Sequence, residues 1–300
     1  MKAYVTGASG FVGGHVAREL AELGAEVRTE RVDLLDRAEL RRVIEGCDAV
    51  FHVAALYSYD ADPRMIERVN VEGTQNVIEA CSRTGVKRLV HTSTAGTCGP
   101  VAGRSATEDD APPAWELAVP YKRTKREAER LVLDAAARGL DAVVVNPTTP
   151  VGDGDLKPTP TGRMIAGVAS GRLRAYLATT GLNIVDVRDV ARGHALAYER
   201  GAAGERYLLG GVNLSLAELF AAIADLARRP RPSIQVPYAA AAAAARIGLA
   251  NRDEVRLARL PMYFSSAKAQ AMLGYCPGPV TPALARAVRE ASEMVGKGGA

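Results

Sequence analysis

The chain has 300 residues, 48% hydrophobic and 24% charged, with a formal net charge of +4, the balance of a soluble globular protein large enough for one domain and a smaller lobe. Its basic residues are scattered without an aromatic-studded tract, which speaks against a nucleic-acid partner, and no stretch approaches the roughly 20 apolar residues needed to cross a bilayer. Cys47, Cys81, Cys98 and Cys276 make no CxxC pair and no metal-ligand spacing with a histidine, and Met1-Lys2 leaves no room for a signal peptide before the first apolar run, so the expectation is a reduced, cytoplasmic chain without a metal.

Strands and helices alternate through the first half. Ala3–Thr6 reads as a strand, Phe11–Leu23 as a helix closed by Gly24, and Glu26–Arg28 as a second strand. Asp36 is placed to cap a helix over Arg37–Glu45 that Gly46 ends, and Asp48–Val53 is strand-like. Pro63–Arg83 is predicted helical with Gly85 as terminator, followed by a strand over Val86–Thr92, a helix over Tyr121–Arg138 and a strand over Leu140–Asn146. This alternation predicts an α/β fold, a Rossmann-like doubly wound parallel sheet. Pro147, Pro150, Pro158 and Pro160 with Gly152 and Gly154 mark a crossing out of it. Residues 1–150 are therefore assigned to a dinucleotide domain and 151–300 to a smaller, mixed substrate lobe, some of whose segments return to the sheet. Strands are expected near Asn183–Val187 and Arg206–Leu209, and the alanine run Ala239–Ala245 as a packed helix.

Gly7, Gly10 and Gly13 follow the first strand and open the first helix. In that context the spacing has a mechanism. Gly7 permits a tight turn, Gly10 lets the backbone approach a pyrophosphate, and Gly13 lets the helix pack close. The free N–H groups of the helix then receive the anion. A turn without a ligand is the plainer alternative, and its place on the first strand argues against that.

Tyr121 and Lys125 are four apart on a predicted helix, hence on one face. A tyrosine near pKa 10 is a poor acid or base at neutral pH; an adjacent ammonium favours its phenolate and makes it a proton shuttle for a carbonyl or alcohol. Tyr-x-x-x-Lys alone is weak. Its order after the glycine turn and after His91-Thr92-Ser93-Thr94, at a strand's carboxyl edge, strengthens it. There a hydroxyl would hold the substrate oxygen, Thr94 first and Ser93 next, unless these hydroxyls serve only local backbone groups.

These strings resemble the extended short-chain dehydrogenases/reductases, the group of nucleotide-sugar epimerases, dehydratases and dihydroflavonol-reductase-like enzymes. The resemblance runs over nearly the whole chain and includes Phe51-His52-Val53-Ala54-Ala55, Asn70-Val71-Glu72-Gly73-Thr74, Asn146-Pro147 and Val185–Val190. A narrower likeness, carried by Asn146–Gly152, Lys157–Gly162, Gly181-Leu182-Asn183 and Met262–Ser266, is to the hopanoid-associated sugar epimerases. The resemblance implies Thr94, Tyr121 and Lys125 as catalytic residues. It implies NAD or NADP held by Gly7, Gly10, Phe11, Val12, Gly13, Asp33, Leu34, Ala54, Ala55, Thr92, Ser93, Tyr121, Lys125 and Pro147. It also implies a small-molecule, sugar-like substrate or a simple ketone, and a homodimer as one assembly.

One departure stands out. Such proteins usually carry an arginine-bearing loop and a further strand where Val27–Asp33 leaves almost no room; the region after Ile247 also looks short. Either the chain is trimmed at these points or loops are missing from the sequence as given. Arg28 and Arg31 are left as candidates for a 2′-phosphate and Glu30 for a 2′-hydroxyl. Among the rest, His52 and His91 are expected to be satisfied inside the core, His15 and His194 to be packing or surface residues. Asn70 is expected to orient a loop or pack a helix, Lys157 to face the interlobe cleft. Arg123 is at most a contact for an anionic substrate, and Arg163, Arg172 and Arg174 form the available cationic cluster for a phosphate-bearing one. A non-catalytic dinucleotide sensor and a structural partner of a lipid-modifying assembly are the rivals; retention of Thr94, Tyr121 and Lys125 argues against the first, and nothing beyond the subgroup likeness supports the second.

Overall fold

The computed structural model describes residues 1–56 and 62–297. In chain order the first half contains β1 (Lys2–Thr6), α1 (Phe11–Glu22), β2 (Glu26–Arg28), α2 (Arg37–Ile44), β3 (Ala49–His52), α3 (Pro63–Glu67), α4 (Gly73–Thr84), β4 (Arg88–Thr92), α5 (Pro120–Ala137) and β5 (Ala142–Pro147). Beyond it come β6 (Thr149–Val151), α6 (Pro160–Ala169), β7 (Ala175–Leu177), β8 (Gly181–Asp186), α7 (Val187–Arg200), β9 (Arg206–Leu209), β10 (Val212–Ser215), α8 (Leu216–Leu226), β11 (Ile234–Val236), α9 (Tyr238–Arg246), α10 (Arg252–Leu257), α11 (Ala267–Leu273) and α12 (Thr281–Lys297).

The main sheet has the order β2-β1-β3-β4-β5-β9 with every pair parallel. Its central strands read as unbroken apolar runs because both faces are covered: β3 and β5 are buried at every position. On one face Val16 and Leu20 of α1 pack with Val190 and Ala195 of α7; on the other, Leu40, Ile44, Val77 and Val132 bring in α2, α4 and α5. Asp36 caps α2 by accepting the Glu39 N–H at 3.0 Å, and Gly85 ends α4 in the left-handed conformation. The fold is thus the doubly wound α/β sheet. From β1 the chain winds outward to β2 and then returns to the other side of β1 for β3, which opens a crevice at the carboxyl ends of β1 and β3.

Beyond residue 150 the chain does not stay apart. β9 forms the last strand of the main sheet, and α7 and α11 pack on it, while β6, β8 and β10 form a three-stranded sheet and β7 and β11 a two-stranded one. Three local features differ from the sequence reading. The stretch from Pro63 is not one helix: a π turn over Arg68–Glu72 separates α3 from α4, and it carries Asn70. β2 is the outer strand and the chain runs on continuously to α2, with no strand beyond it among the described residues. The alanine helix α9 is largely at the surface, with Ala245 its buried residue.

Candidate active site

The turn between β1 and α1 is built on three different uses of glycine. Gly7 has φ +71°, and a Cβ there would stand 2.8 Å from Ala54 Cα, so it serves both the left-handed turn and the close approach of β1 to β3. A Cβ on Gly13 would overlap the Gly7 carbonyl oxygen, so helix and turn touch through backbone. Gly10, at φ −91°, needs no special conformation; it is the N-cap of α1, and no side chain caps that end. The first N–H groups of α1 therefore remain for a ligand, with the favourable end of the helix dipole behind them.

Thr6 ties this turn to β3. Its hydroxyl accepts the N–H groups of Val53 and Ala54, both at 3.0 Å, leaving its own proton for His52 Nδ1 at 2.9 Å. His52 Nε2 then donates to Thr74 Oγ1 at 3.0 Å, and Thr74 donates to the Asn70 carbonyl at 2.6 Å. Asn70 accepts the Leu56 N–H at 2.7 Å and donates to Leu56 O and Thr124 Oγ1, so the exit from β3 is bound to α5.

Helix α5 begins with Pro120 at its first position, where the missing N–H costs nothing. Tyr121 lies on that first turn at the cleft wall. One turn on, Lys125 is buried and its Nζ donates to the Thr92 carbonyl at 2.7 Å. Burial lowers its pKa to about 8, Glu129 acting against the shift. Burial also holds three histidines neutral behind it. His52 falls to about 3 and His194 to about 4, while His91 falls well below its usual value; the Lys125 charge adds to the effect on His52 and His91. His194 donates from Nδ1 to Val190 O at 2.7 Å and accepts from Thr92 Oγ1 at 2.8 Å. His91 departs from expectation: neither ring nitrogen has a hydrogen-bond partner among the described residues.

Thr94 leaves β4 at the carboxyl edge of the sheet with its side chain accepting the Gly96 N–H at 3.3 Å. Its carbonyl accepts from Asn146 Nδ2 at 3.2 Å and Thr97 Oγ1 at 2.9 Å. Asn146 Nδ2 also donates to Glu129 Oε2 at 2.7 Å, the Thr97 hydroxyl shares its one proton between the Thr94 carbonyl and that same oxygen at 2.7 Å, and Arg206 Nη1 donates to Glu129 Oε1 at 2.8 Å. Glu129 thus organises the back of the site from α5. Because it is a buried carboxylate serving three donors, Glu129→Ala is expected to destabilise the fold by about 3–5 kcal/mol, measurable as a lowered midpoint in urea; a midpoint equal to the parent's would show the network to be dispensable.

These elements enclose a cleft of about 950 Å³. Gly7, Gly10, Phe11, Val12, Gly13, Leu34, Ala54, Ala55, Thr92, Ser93, Thr94, Tyr121, Lys125 and Pro147 all line it, and so do Glu30, Arg31 and Lys157. Arg28 does not line it: its guanidinium donates to the carbonyls of Val43 and Glu45 at 2.9 and 3.0 Å, closing the end of α2. Asp33 is exposed and accepts the Leu35 N–H at 3.0 Å, a turn contact rather than a place on the cleft wall. Arg163 reaches the cleft but pairs with Glu254 at 3.5 Å, while Arg172 and Arg174 bond to Ser170 and Gly171 and do not line it, so the three do not meet on the cleft wall. Arg123 is exposed and off the cleft wall. Lys122, which the sequence reading passed over, lines the cleft; its signal was the 122, 125, 129, 132 spacing of the buried stripe of α5.

The residues present fit a dinucleotide. The Gly7–Gly13 cradle, the uncapped end of α1 and the buried Ser93 hydroxyl at the cleft, without a partner among the described residues, leave donors where such a ligand would lie. Among the described residues no helix is long and apolar enough to cross a membrane.

Comparison with known proteins agrees with this geometry. The model of the NAD dependent epimerase/dehydratase family matches residues 3–210. The chain is 36% identical to a putative dihydroflavonol 4-reductase of Synechocystis, covering 95% of this chain and 93% of that protein over 319 aligned positions. That alignment is longer than this chain, so the relative carries segments this chain lacks. It is 33% identical to a 2-alkyl-3-oxoalkanoate reductase of Stenotrophomonas maltophilia, over 92% and 95% of the two chains. The crystal structure of a nucleoside-diphosphate-sugar epimerase from Pseudomonas aeruginosa superposes with a TM-score of 0.83 at 26% identity, over 98% of both chains. The chain belongs to the NAD-dependent epimerase/dehydratase family of the short-chain dehydrogenases/reductases, and is an enzyme with NAD or NADP as its cofactor.

Proposed function

We propose that this enzyme reduces the carbonyl group of a small, largely apolar substrate at the expense of NADH or NADPH, with Tyr121 as the proton donor. The observation that carries this reading is the buried Lys125, one helical turn from Tyr121 and fastened to the Thr92 carbonyl at 2.7 Å. The substrate half of the cleft supports a ketone or aldehyde over a sugar nucleotide: Met164, Leu173, Leu182, Leu216, Met262 and Phe264 line it, and of the three arginines considered for a phosphate Arg163 is paired while Arg172 and Arg174 bond to groups off the cleft wall. Both curated relatives compared above are named as reductases.

A reduced dinucleotide held by the Gly7–Gly13 turn would supply the hydride for the carbonyl carbon. Tyr121 gives its proton to the carbonyl oxygen, and the Lys125 ammonium favours the phenolate left behind. Thr94, with its backbone braced by Asn146 and Thr97, holds the same oxygen by its hydroxyl. The neutral histidines behind Lys125 leave it the positive charge of this layer.

A pH profile follows from the lysine. Its ammonium persists below about pH 8 and is lost above it, so kcat/KM for reduction is expected to be level below pH 8 and to fall by about tenfold per unit above it. For stability the sign is reversed. The unfolded chain keeps this proton up to 10.5, whereas the folded chain releases it at about 8, so Lys125 opposes folding fully below pH 8 and that cost disappears between pH 8 and 10.5. A rate profile flat to pH 10 would remove the lysine charge from the mechanism.

Incubation of the purified protein with a panel of ketones and aldehydes, followed by the absorbance of NADH and NADPH, tests the function. Net oxidation of cofactor is expected. No oxidation of either, with NAD retained through gel filtration, would overturn the reductase reading and favour a sugar epimerase, as the likeness to the Pseudomonas epimerase suggests.

A further inference from the structure

Lys122 is a buried cation of this site that the mechanism leaves unused. It follows Tyr121 directly, yet its side chain is only 9% exposed, and Glu116, the carboxylate nearest it, is 0% exposed. Lysine is rarely buried to this degree unless paired. Here the pairing is incomplete. The Nζ–Oε1 distance is 3.5 Å, long against the roughly 2.7–2.9 Å of a charge-assisted hydrogen bond. Neither Glu116 oxygen has a hydrogen-bond partner among the described residues. Lys122 and Gly96 line the cleft and Glu116 does not, so Glu116 balances the charge from behind the cleft wall.

The niche that holds Lys122 is made by Gly96. A Cβ on Gly96 would overlap Lys122 Nζ and stand 2.7 and 2.8 Å from its Cδ and Cε. Gly96 is not among the glycines with positive φ, so the missing side chain provides room rather than conformational freedom. The Gly96 N–H also donates to Thr94 Oγ1, so the same glycine makes room for the lysine and holds the hydroxyl assigned to the reacting oxygen.

We infer that Lys122, on the reductase reading above, selects the substrate by donating to a carboxylate carried near its carbonyl group, so that the enzyme prefers oxo acids to neutral ketones. A phosphate is matched best by the paired donors of an arginine, and Arg163 of this cleft is held by Glu254. A single ammonium suits a carboxylate. The incoming carboxylate takes over from Glu116 as the partner of Lys122. Burial already pushes the Glu116 carboxyl above its ordinary range, with Lys122 acting against it, which readies Glu116 to take up a proton as that exchange occurs.

The test compares the full-length protein with K122M and with G96A, which keeps the lysine but fills its niche. The ratio of kcat/KM for 4-oxopentanoate to that for its methyl ester is expected to favour the acid in the parent. It should drop by roughly 10–100-fold in both variants, the worth of one hydrogen bond to a charged group, with K122R retaining part of the preference. Binding is measured separately, by calorimetry of hexanoate and hexanamide with the protein saturated in oxidised cofactor. Hexanoate should bind the parent more tightly than hexanamide and lose that advantage in K122M, while NADPH affinity stays within about twofold. An unchanged acid-to-ester ratio in K122M, or hexanoate bound no better than hexanamide by the parent, overturns the inference. If neither ketone is reduced, the ketone and aldehyde panel above decides the reductase reading separately, and the hexanoate comparison still decides the role of Lys122.

Discussion

Tyr121→Phe is expected to lower turnover by about 10²–10⁴-fold, the usual loss when a positioned acid is removed, with little change in dinucleotide affinity. The substitution isolates the hydroxyl. Tyr121 sits on the first turn of α5, started by Pro120, and its carbonyl accepts the Thr124 hydroxyl at 3.0 Å, so the backbone is held independently of the phenol. Phenylalanine keeps the ring that lines the cleft. Lys125 keeps its bond to Thr92 and its burial. Steady-state rates with a substrate from the ketone panel, beside a fluorescence titration with NADPH, separate the two effects. Turnover close to that of the parent would remove Tyr121 from the proton step; affinity lost together with turnover would mean that the phenol mainly holds the cofactor.

Gly10→Val is expected to weaken NADH and NADPH binding by on the order of 10²-fold, as overpacking a tight contact does, and to leave the fold intact. The contrast with its neighbours makes the prediction sharp. Gly7 lies at φ +71° against Ala54, and Gly13 would drive a Cβ into the Gly7 carbonyl, so substitution at either disturbs the turn itself. Gly10 lies at φ −91°, open to any residue, and the nearest atom to an added Cβ is Gly7 O at 3.2 Å. The valine methyl groups then stand over the uncapped N–H groups of α1, where the pyrophosphate must approach. Thermal denaturation of the free protein is the control. Parent-like affinity for both cofactors would show the turn to be structural only.

The part of the site that was legible in the sequence is local. Gly7, Gly10 and Gly13 announce their turn because one strand and one helix meet within a few residues. Tyr121 and Lys125 share a face because a helix repeats every 3.6 residues. Asp36 and Gly85 mark helix ends by their own chemistry. Arg28 shows where such reading stops. On sequence it is a cation just after a strand, beside the nucleotide site; in the fold it turns to the two carbonyls at the end of α2, 15 and 17 residues away. Arg172 and Arg174 looked like a cluster with Arg163, but the turn after α6 spends them on nearby groups.

The sequence by itself determined the alternation of strands and helices, the glycine turn and the Tyr121–Lys125 pair, since these depend on φ preferences, hydrogen-bonding groups and periodicities acting over a few residues. Only the tertiary structure decided that β9 closes the main sheet, and that Thr6, His52, Thr74 and Asn70 form one chain of hydrogen bonds. It likewise placed Glu129 behind Thr94, and Lys122 between Glu116 and the space left by Gly96. Each of these joins segments far apart in the chain. Their meeting is set by how apolar faces pack, and burial then converts an ordinary lysine or glutamate into a group that must find a partner.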